Sequence, residues 1–548
     1  MRLFPKNASR ARTAFVWIGV IVAFAVSALM GGCGNNYRPV VTPVTTNGPA
    51  PQPSSYAVVV STTGSSTGGV VTIIDYSGDS VLVEATIGPG PTAFTLDELG
   101  ANGYTINSDG TLSNFSINSS LQTKNVSFST LPPTAQPVNL MPPSSGLWAT
   151  NLNGNVVDIF SGSPQAFKLA IPVTGTVSSP NTLPMFIAGS PTTSGQREYV
   201  LSQNVGNTGT MACSLSPTSP IAMPVNGVAT PIEISSNTAD PALPLDPFAA
   251  ATGSTNALCP VYAVQTPDLK RLYVLNRGSD TISVINTQNN TPDECTPFDN
   301  QNGQLVTCHP ILPLSLTAVK NLAADKAVSG APQDIPTAPP NGTAGMGAIA
   351  GPIYAEYNQA TQQLVVANYD GGSITVIDVS LDEYGNDSST FGTTYTIPVG
   401  NTSTPNPASV TVLYDGSKAY TANQNESTVT VVNLSTHTVE KTLTVEGHPR
   451  TVVSTQNSEY SKIYAASPDS PFITIIESNP TVVDLIDTTV LVEGTPVDVR
   501  TTTQSGSSGN NNFSSRVPGY GQPCNLSPSA MVAKYGTGYT LAECQATP

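Results

Sequence analysis

Between Val261 and Glu493 one phrase of sequence is written four times. Arg271–Asn286 reads RLYVLNRGSDTISVIN, Gln363–Asp378 reads QLVVANYDGGSITVID, Lys418–Asn433 reads KAYTANQNESTVTVVN and Lys462–Glu477 reads KIYAASPDSPFITIIE. Each copy is a short run rich in β-branched and aromatic residues, a polar turn, and a second run that alternates in period two, as in Thr428, Val429, Thr430, Val431. That is the pattern of a β-hairpin. A lone hairpin is marginal in water, so the copies must stack on one another to bury their apolar faces.

Weaker copies precede these four. Ala57–Ser61 leads to Val70–Asp75, Gly103–Asn107 to Thr111–Ile117, Leu147–Asn151 to Asn155–Phe160, and Glu198–Ser202 to Thr210–Leu215. The first strands end at 61, 107, 151, 202, 276, 368, 423 and 467, never closer than 44 residues apart. A further strand, often opened by proline, precedes each hairpin, as in Pro407–Leu413 and Pro449–Val453. Another follows, as in Thr394–Val399 and Val439–Val445. Four strands per period of this length predict an all-β chain, a β-propeller of four-stranded antiparallel blades. The count is eight, or seven if one weak early copy is not a blade.

Closure follows from what the ends lack. The hairpin at Ala57 has no preceding inner strand, and Pro496–Thr502 (PVDVRTT) reads as an inner strand with no hairpin after it. Pairing the two completes one blade from both ends of the chain and removes the exposed sheet edges.

These blades resemble the YVTN-type β-propeller repeat. Its Tyr-Val-x-Asn strand stands here as Tyr273-Val274-Leu275-Asn276 and, loosened, as Tyr420-Thr421-Ala422-Asn423, and its terminal Ile-Pro-Val-Gly as Ile397–Gly400. The match is good from about 261 to 494 and poor before 180. The resemblance implies the fold; it says little of function, because propellers host binding, scaffolding and several chemistries.

The N-terminus carries an address. Arg2, Lys6, Arg10 and Arg12 form a positive region ahead of the apolar run Ala14–Met30, and Gly31 and Gly32 precede Cys33. Leu29-Met30-Gly31-Gly32-Cys33 resembles a bacterial lipobox, with Met30 in place of the usual Leu, Val or Ile. That resemblance implies removal of a signal peptide at 1–32, acylation of Cys33 and a lipid anchor in the cell envelope. An uncleaved membrane anchor is the alternative, since the apolar run sits at the lower edge of a spanning length. Residues 33–55, rich in Pro, Thr and Ser, read as a tether. The propeller is expected over 56–502, with insertions at 235–258, 287–310 and 318–348, followed by a low-complexity tail at 503–548.

If Cys33 carries lipid, six of the seven cysteines remain, an even number in an oxidising compartment. The expected pairs are Cys213 with Cys259, Cys295 with Cys308, and Cys524 with Cys544, out of fifteen possible connectivities. The formal charge of −16 argues against nucleic acid, which requires a basic surface. The protein is expected to be monomeric, with the membrane and an unidentified protein or glycan as its partners.

Chemistry is sparse. The three histidines, His309, His437 and His448, stand in no zinc-like spacing, and Cys308-His309 lacks the second cysteine of a haem site. Gly64-Ser65-Ser66-Thr67-Gly68 matches a nucleophile motif on paper but lies in a hairpin turn, where that motif has no strained strand-to-helix bend. Gly345-Met346-Gly347 lacks the setting of a dinucleotide loop. Asp382, Glu383, Asn386 and Asp387 cluster in one loop, and Asp293, Glu294, Asp299 and Asn300 in another. Such oxygen-rich loops can hold calcium, although solvated turns explain them better, and no metal or cofactor is expected.

The functional expectation is a non-catalytic binding and interaction module. The alternatives are a propeller enzyme of lactonase-like or periplasmic oxidoreductase type, and a structural component of a surface layer. If the chain is an enzyme, Glu356, Asp498 and Arg500, on expected inner strands, are the nominated residues, with a structural salt bridge as their other explanation.

Overall fold

The structure, a computed structural model, describes residues 55–502 apart from 65, 118–125, 134, 144–145, 153, 174–182, 190–196, 204–225, 294–307, 333 and 481. Its strands form eight antiparallel sheets. Blade 1 is built from both ends of the chain, in the order Ser80–Pro89, Gly68–Asp75, Tyr56–Thr62, Thr495–Thr501. Ala57 pairs with Thr501 and Val59 with Val499. Blades 2 to 8 open with the inner strands Pro91–Leu96, Pro137–Met141, Pro184–Gly189, Pro260–Gln265, Pro352–Asn358, Pro407–Val412 and Thr451–Ser454. Each inner strand lies beside the next, and the eighth beside Thr495–Thr501, so the ring is an eight-bladed propeller.

The core lies between blades. Tyr420 and Ala422 of blade 7 pack with Val452, Ile463 and Ile476 of blade 8. Tyr464 and Ile473 of blade 8 pack with Ala57, Val59 and Val499 of blade 1. Burying both faces of every blade is what makes marginal hairpins stable together.

The asparagine that ends the second strand of most blades explains the recurring phrase. Asn423 Nδ2 donates to Thr428 Oγ1 and Thr430 Oγ1, both at 2.9 Å. Asn368 does the same to Ser373 and Thr375 at 3.1 and 2.7 Å, and Asn276 to Thr281 and Ser283 at 3.2 and 2.8 Å. A buried amide thereby satisfies hydroxyls on the facing strand and holds the hairpin in register.

One expectation is corrected, and the insertions gain detail. The strand that pairs with Arg197–Ser202 is Val228–Glu233, not Thr210–Leu215, which lies outside the described residues. Pro231 interrupts the alternation there, and proline within a run argues against a strand. The stretch at 318–348 is not all loop, for it contains most of the helix Leu316–Lys326, capped by Ser315 accepting from the Ala318 N–H. The insertions at 235–258 and 287–310 fall within the outermost layer of blades 4 and 5. That layer is split into Thr238–Ala239 with Leu243–Pro244, and Thr291–Pro292 with Ile311–Pro313. The expectations for Cys33, Cys213, Cys295, Cys524 and Cys544 lie outside the described residues.

Candidate functional site

The inner strands share one register. In blades 2 to 7 a proline pairs with the last residue of the second strand, a bulge follows, and the residue two after the proline resumes the ladder. At that position blades 4, 5 and 6 carry Phe186, Tyr262 and Tyr354. Their rings run in sequence round the axis, with centroids 4.8 and 4.6 Å apart. Blades 7, 8 and 1 carry Ser409, Thr451 and Asp498 at the corresponding position. One arc of the ring is therefore aromatic and the arc that follows it polar.

An inner strand is an edge, and its outward N–H groups need acceptors. Side chains of the preceding blade supply them. Asn139 Oδ1 accepts from Ile187 N at 2.9 Å, Ser409 Oγ from Val452 N at 3.0 Å, and Thr411 Oγ1 from Ser454 N at 3.1 Å. In blade 6 the same task falls to Glu356, whose Oε1 accepts from Val412 N at 3.1 Å. Where an amide or hydroxyl serves the other three contacts, this one uses a carboxylate.

Glu356 is almost wholly buried yet borders a cavity of about 140 Å³ between blades 6 and 7, lined also by Tyr357, Asn358, Gln359, Ala360, Val412, Leu413 and Tyr414. The turns on this side are tied together. Asn358 Nδ2 donates to Gly416 O at 2.9 Å, and Gln456 Nε2 of blade 8 donates to Val412 O at 2.7 Å. Gly416 has φ 75° and lies so near Asn358 that a Cβ would meet its Oδ1 at 2.4 Å, so only glycine permits the approach. Burial, and then the charge of Asp268, pushes the Tyr357 phenol up to about 12, so it keeps its proton at neutral pH. The site thus offers a carboxylate able to take a proton from water, phenols, and amides that can hold hydroxyl groups.

The other two nominated residues lie on blade 1. Asp498 Oδ2 accepts from Arg500 Nε at 3.2 Å, and Asp498 Oδ1 from Thr451 Oγ1 at 3.3 Å. Blades 7 and 8 stand between this pair and Glu356. Asp498 and Arg500 form a buried ion pair within one strand of blade 1, and the hydrogen bond from Thr451 ties it to blade 8.

One described residue of each acidic loop meets the other at a buried arginine. Asp293 from one and Asp387 from the other converge on Arg271, at 3.3 and 3.7 Å from its Nη2. His309 Nδ1 lies 2.8 Å from Asp387 Oδ2. A guanidinium stands between the two carboxylates, and the described residues contain no cluster of three or more His, Cys, Asp or Glu suited to a metal. Burial and then the charge of Asp387 push Asp293 up to about 7, against the opposing pull of Arg271. Of the other histidines, His437 stacks on Tyr395 at 3.6 Å and His448 pairs with Asp469 at the surface. The Gly64–Gly68 motif occupies the turn between Tyr56–Thr62 and Gly68–Asp75.

Sequence reading missed Glu198, a fully buried carboxyl on the second strand of blade 4 with neither oxygen hydrogen-bonded among the described residues. It also missed Arg271 as a hub. Aligning the inner strands on their prolines would have exposed Glu356 as the lone carboxylate at its level.

No family model matches the chain, and neither does any curated protein. Solved structures do. A candidate 6-phosphogluconolactonase from Bacteroides fragilis is 15% identical over 83% of this chain and 99% of its own, with a TM-score of 0.43. The periplasmic gluconolactonase PpgL of Pseudomonas aeruginosa is 14% identical over 82% and 99%, with a TM-score of 0.42. The dihydro-heme d1 dehydrogenase NirN is 12% identical over 82% and 76%, with a TM-score of 0.51. At such identities the likeness establishes the propeller fold. The expectation of a non-catalytic binding module is corrected to its enzyme alternative only as a proposal, taken up below, since these neighbours are described as lactonases and a dehydrogenase.

Proposed function

We propose that the chain is a propeller hydrolase of the lactonase-like kind, with Glu356 as general base. The observation that carries this reading is the use of a carboxylate, beside a cavity, for a backbone contact that neutral side chains make in blades 3 and 7. A buried charge is costly, so its retention where an amide would suffice points to chemistry. Water, with its proton passing to Glu356, attacks the ester carbonyl; the ring C–O bond breaks and the alkoxide receives the proton, giving a hydroxy acid.

The reading places the enzyme outside the cytoplasm, with residues 1–32 as signal peptide, Cys33 lipidated and 33–55 a tether to the membrane, and it treats the blades as YVTN-type repeats. Cys259 and Cys308 are each disulfide-bonded, and the reading keeps the expected pairs Cys213 with Cys259 and Cys295 with Cys308 and an oxidising address.

The test is proton release from a panel of five- and six-membered lactones by purified protein and by Glu356→Gln. Wild-type hydrolysis that falls at least a hundredfold in the variant supports the assignment. Wild-type turnover no faster than buffer, or equal turnover by the variant, overturns it.

A further inference from the structure

Blades 5 and 6 are separate sheets, yet their outer parts are joined by side chains. Arg271, on the second strand of blade 5, reaches Asp293 of its own blade and Asp387 in the blade 6 loop 379–393, and its Nη2 donates to Gly385 O of that loop at 3.1 Å. His309, from the blade 5 insertion, meets Asp387 through Nδ1 and stacks on Phe391 with ring centroids 5.2 Å apart. We propose that Asp293 and Asp387 share one proton and act as a pH-sensitive latch between the blade 5 insertion and the blade 6 loop.

The argument is one of unmatched acceptors. The side chains of Arg271, Asp293 and Asp387 are at most 4% exposed. Asp293 Oδ2 and Asp387 Oδ1 each lack a hydrogen-bond donor among the described residues, although the two side chains lie within hydrogen-bonding reach of one another. Two ionised carboxylates facing each other out of water repel strongly. A proton between them turns one into the donor that the other lacks and leaves a single negative charge, which Arg271 balances. The other ionisable groups nearby do not supply that proton. Burial keeps the Tyr273 phenol protonated, Lys270 lies 3.7 Å from Asp268, and Asp382 accepts from the N–H groups of Tyr384 and Asn386 within its own loop, both at 2.9 Å. His309 adds a positive charge when protonated and loses it as pH rises, which acts in the same direction as loss of the shared proton. Asp293 is raised to about 7, so the proton leaves as pH passes through that value. One guanidinium then faces two charged carboxylates, and the loop 379–393 loosens from the insertion. This latch is independent of the site between blades 6 and 7.

The test is amide hydrogen exchange in peptides of the loop 379–393, read by mass spectrometry at pH 6 and pH 8.5 and corrected for the intrinsic pH dependence of exchange. Protection in the wild-type protein is expected to fall about tenfold at the higher pH. In Asp293→Asn, whose carboxamide donates to Asp387 without ionising, protection is expected to be the same at both values. His309→Gln is expected to keep the wild-type response. Equal protection of the wild type at both values, or a response that survives in Asp293→Asn, overturns the latch. A response lost in His309→Gln assigns the proton to the imidazole and overturns the shared acid pair.

Discussion

The backbone N–H of Val412 donates to the Glu356 carboxylate of the preceding blade at 3.1 Å. This contact ties the inner edge of blade 7 to blade 6 and fixes the carboxylate at the border of the one cavity on which a chemical reading rests. Structure and chemistry can be separated here, because glutamine keeps the acceptor and loses the base. Glu356→Gln is expected to retain the wild-type melting temperature within a few degrees while losing hydrolysis. Glu356→Leu is expected to lose both, since it leaves the N–H of Val412 without that acceptor, at about 1–3 kcal/mol. Paired melting curves and rate assays on the two variants check this.

The hairpin asparagines make a second prediction. Replacing Asn423 by alanine removes donors to Thr428 and Thr430, which are then left buried. The expected cost is about 1–3 kcal/mol, read as a lower midpoint in urea titration.

Arg271 holds two buried carboxylates at once. Arg271→Met is expected to destabilise by about 3–5 kcal/mol, because it leaves acids uncompensated in the interior. The loss should be greater at pH 8 than at pH 5. Asp293, already raised to about 7 from 3.8, must take up a proton on folding at any pH between those values, so stability falls as pH rises through that window. Melting temperatures of wild type and variant across pH 5–8 measure it.

Glu198 gives a separate pH signature. Burial holds its carboxyl well above the ordinary value of 4.5, so the folded state binds a proton that the unfolded chain releases. Stability from the neutral form is complete below 4.5 and declines as pH rises above it. Glu198→Gln is expected to match wild type near pH 4 and exceed its melting temperature at pH 7. A variant less stable than wild type at both values would show that the carboxyl has a partner.

Closure can be tested by truncation. A chain ending at Glu493 lacks Thr495–Thr501, which exposes the edge of Tyr56–Thr62 and strips Val499 from the core between blades 8 and 1. Size-exclusion chromatography should show aggregation in place of a compact monomer, because an unpaired inner edge is a template for other chains.

Much of the fold was legible because its signals are local. Period-two alternation marks a strand, and an asparagine followed at set distances by two hydroxyl residues marks a hairpin, wherever they occur. The pairing of Ala57–Ser61 with Pro496–Thr502 was readable for a related reason, since each end lacked what the other had. Blade 4 was misread where Pro231 broke the alternation inside a true strand, and where a long polar insertion separated it from its partner Arg197–Ser202.

The site was legible only in part. Glu356, Asp498 and Arg500 could be placed on inner strands from their flanking prolines, yet nothing in the linear order says that the last two bind each other while the first borders a cavity. Nor does it say that Asp293 and Asp387, in different loops, share Arg271. Hairpins are decided by neighbours along the chain, so the residues alone determined them. Which charges meet is decided by how one blade is rotated against the next, and only the closed ring sets that angle.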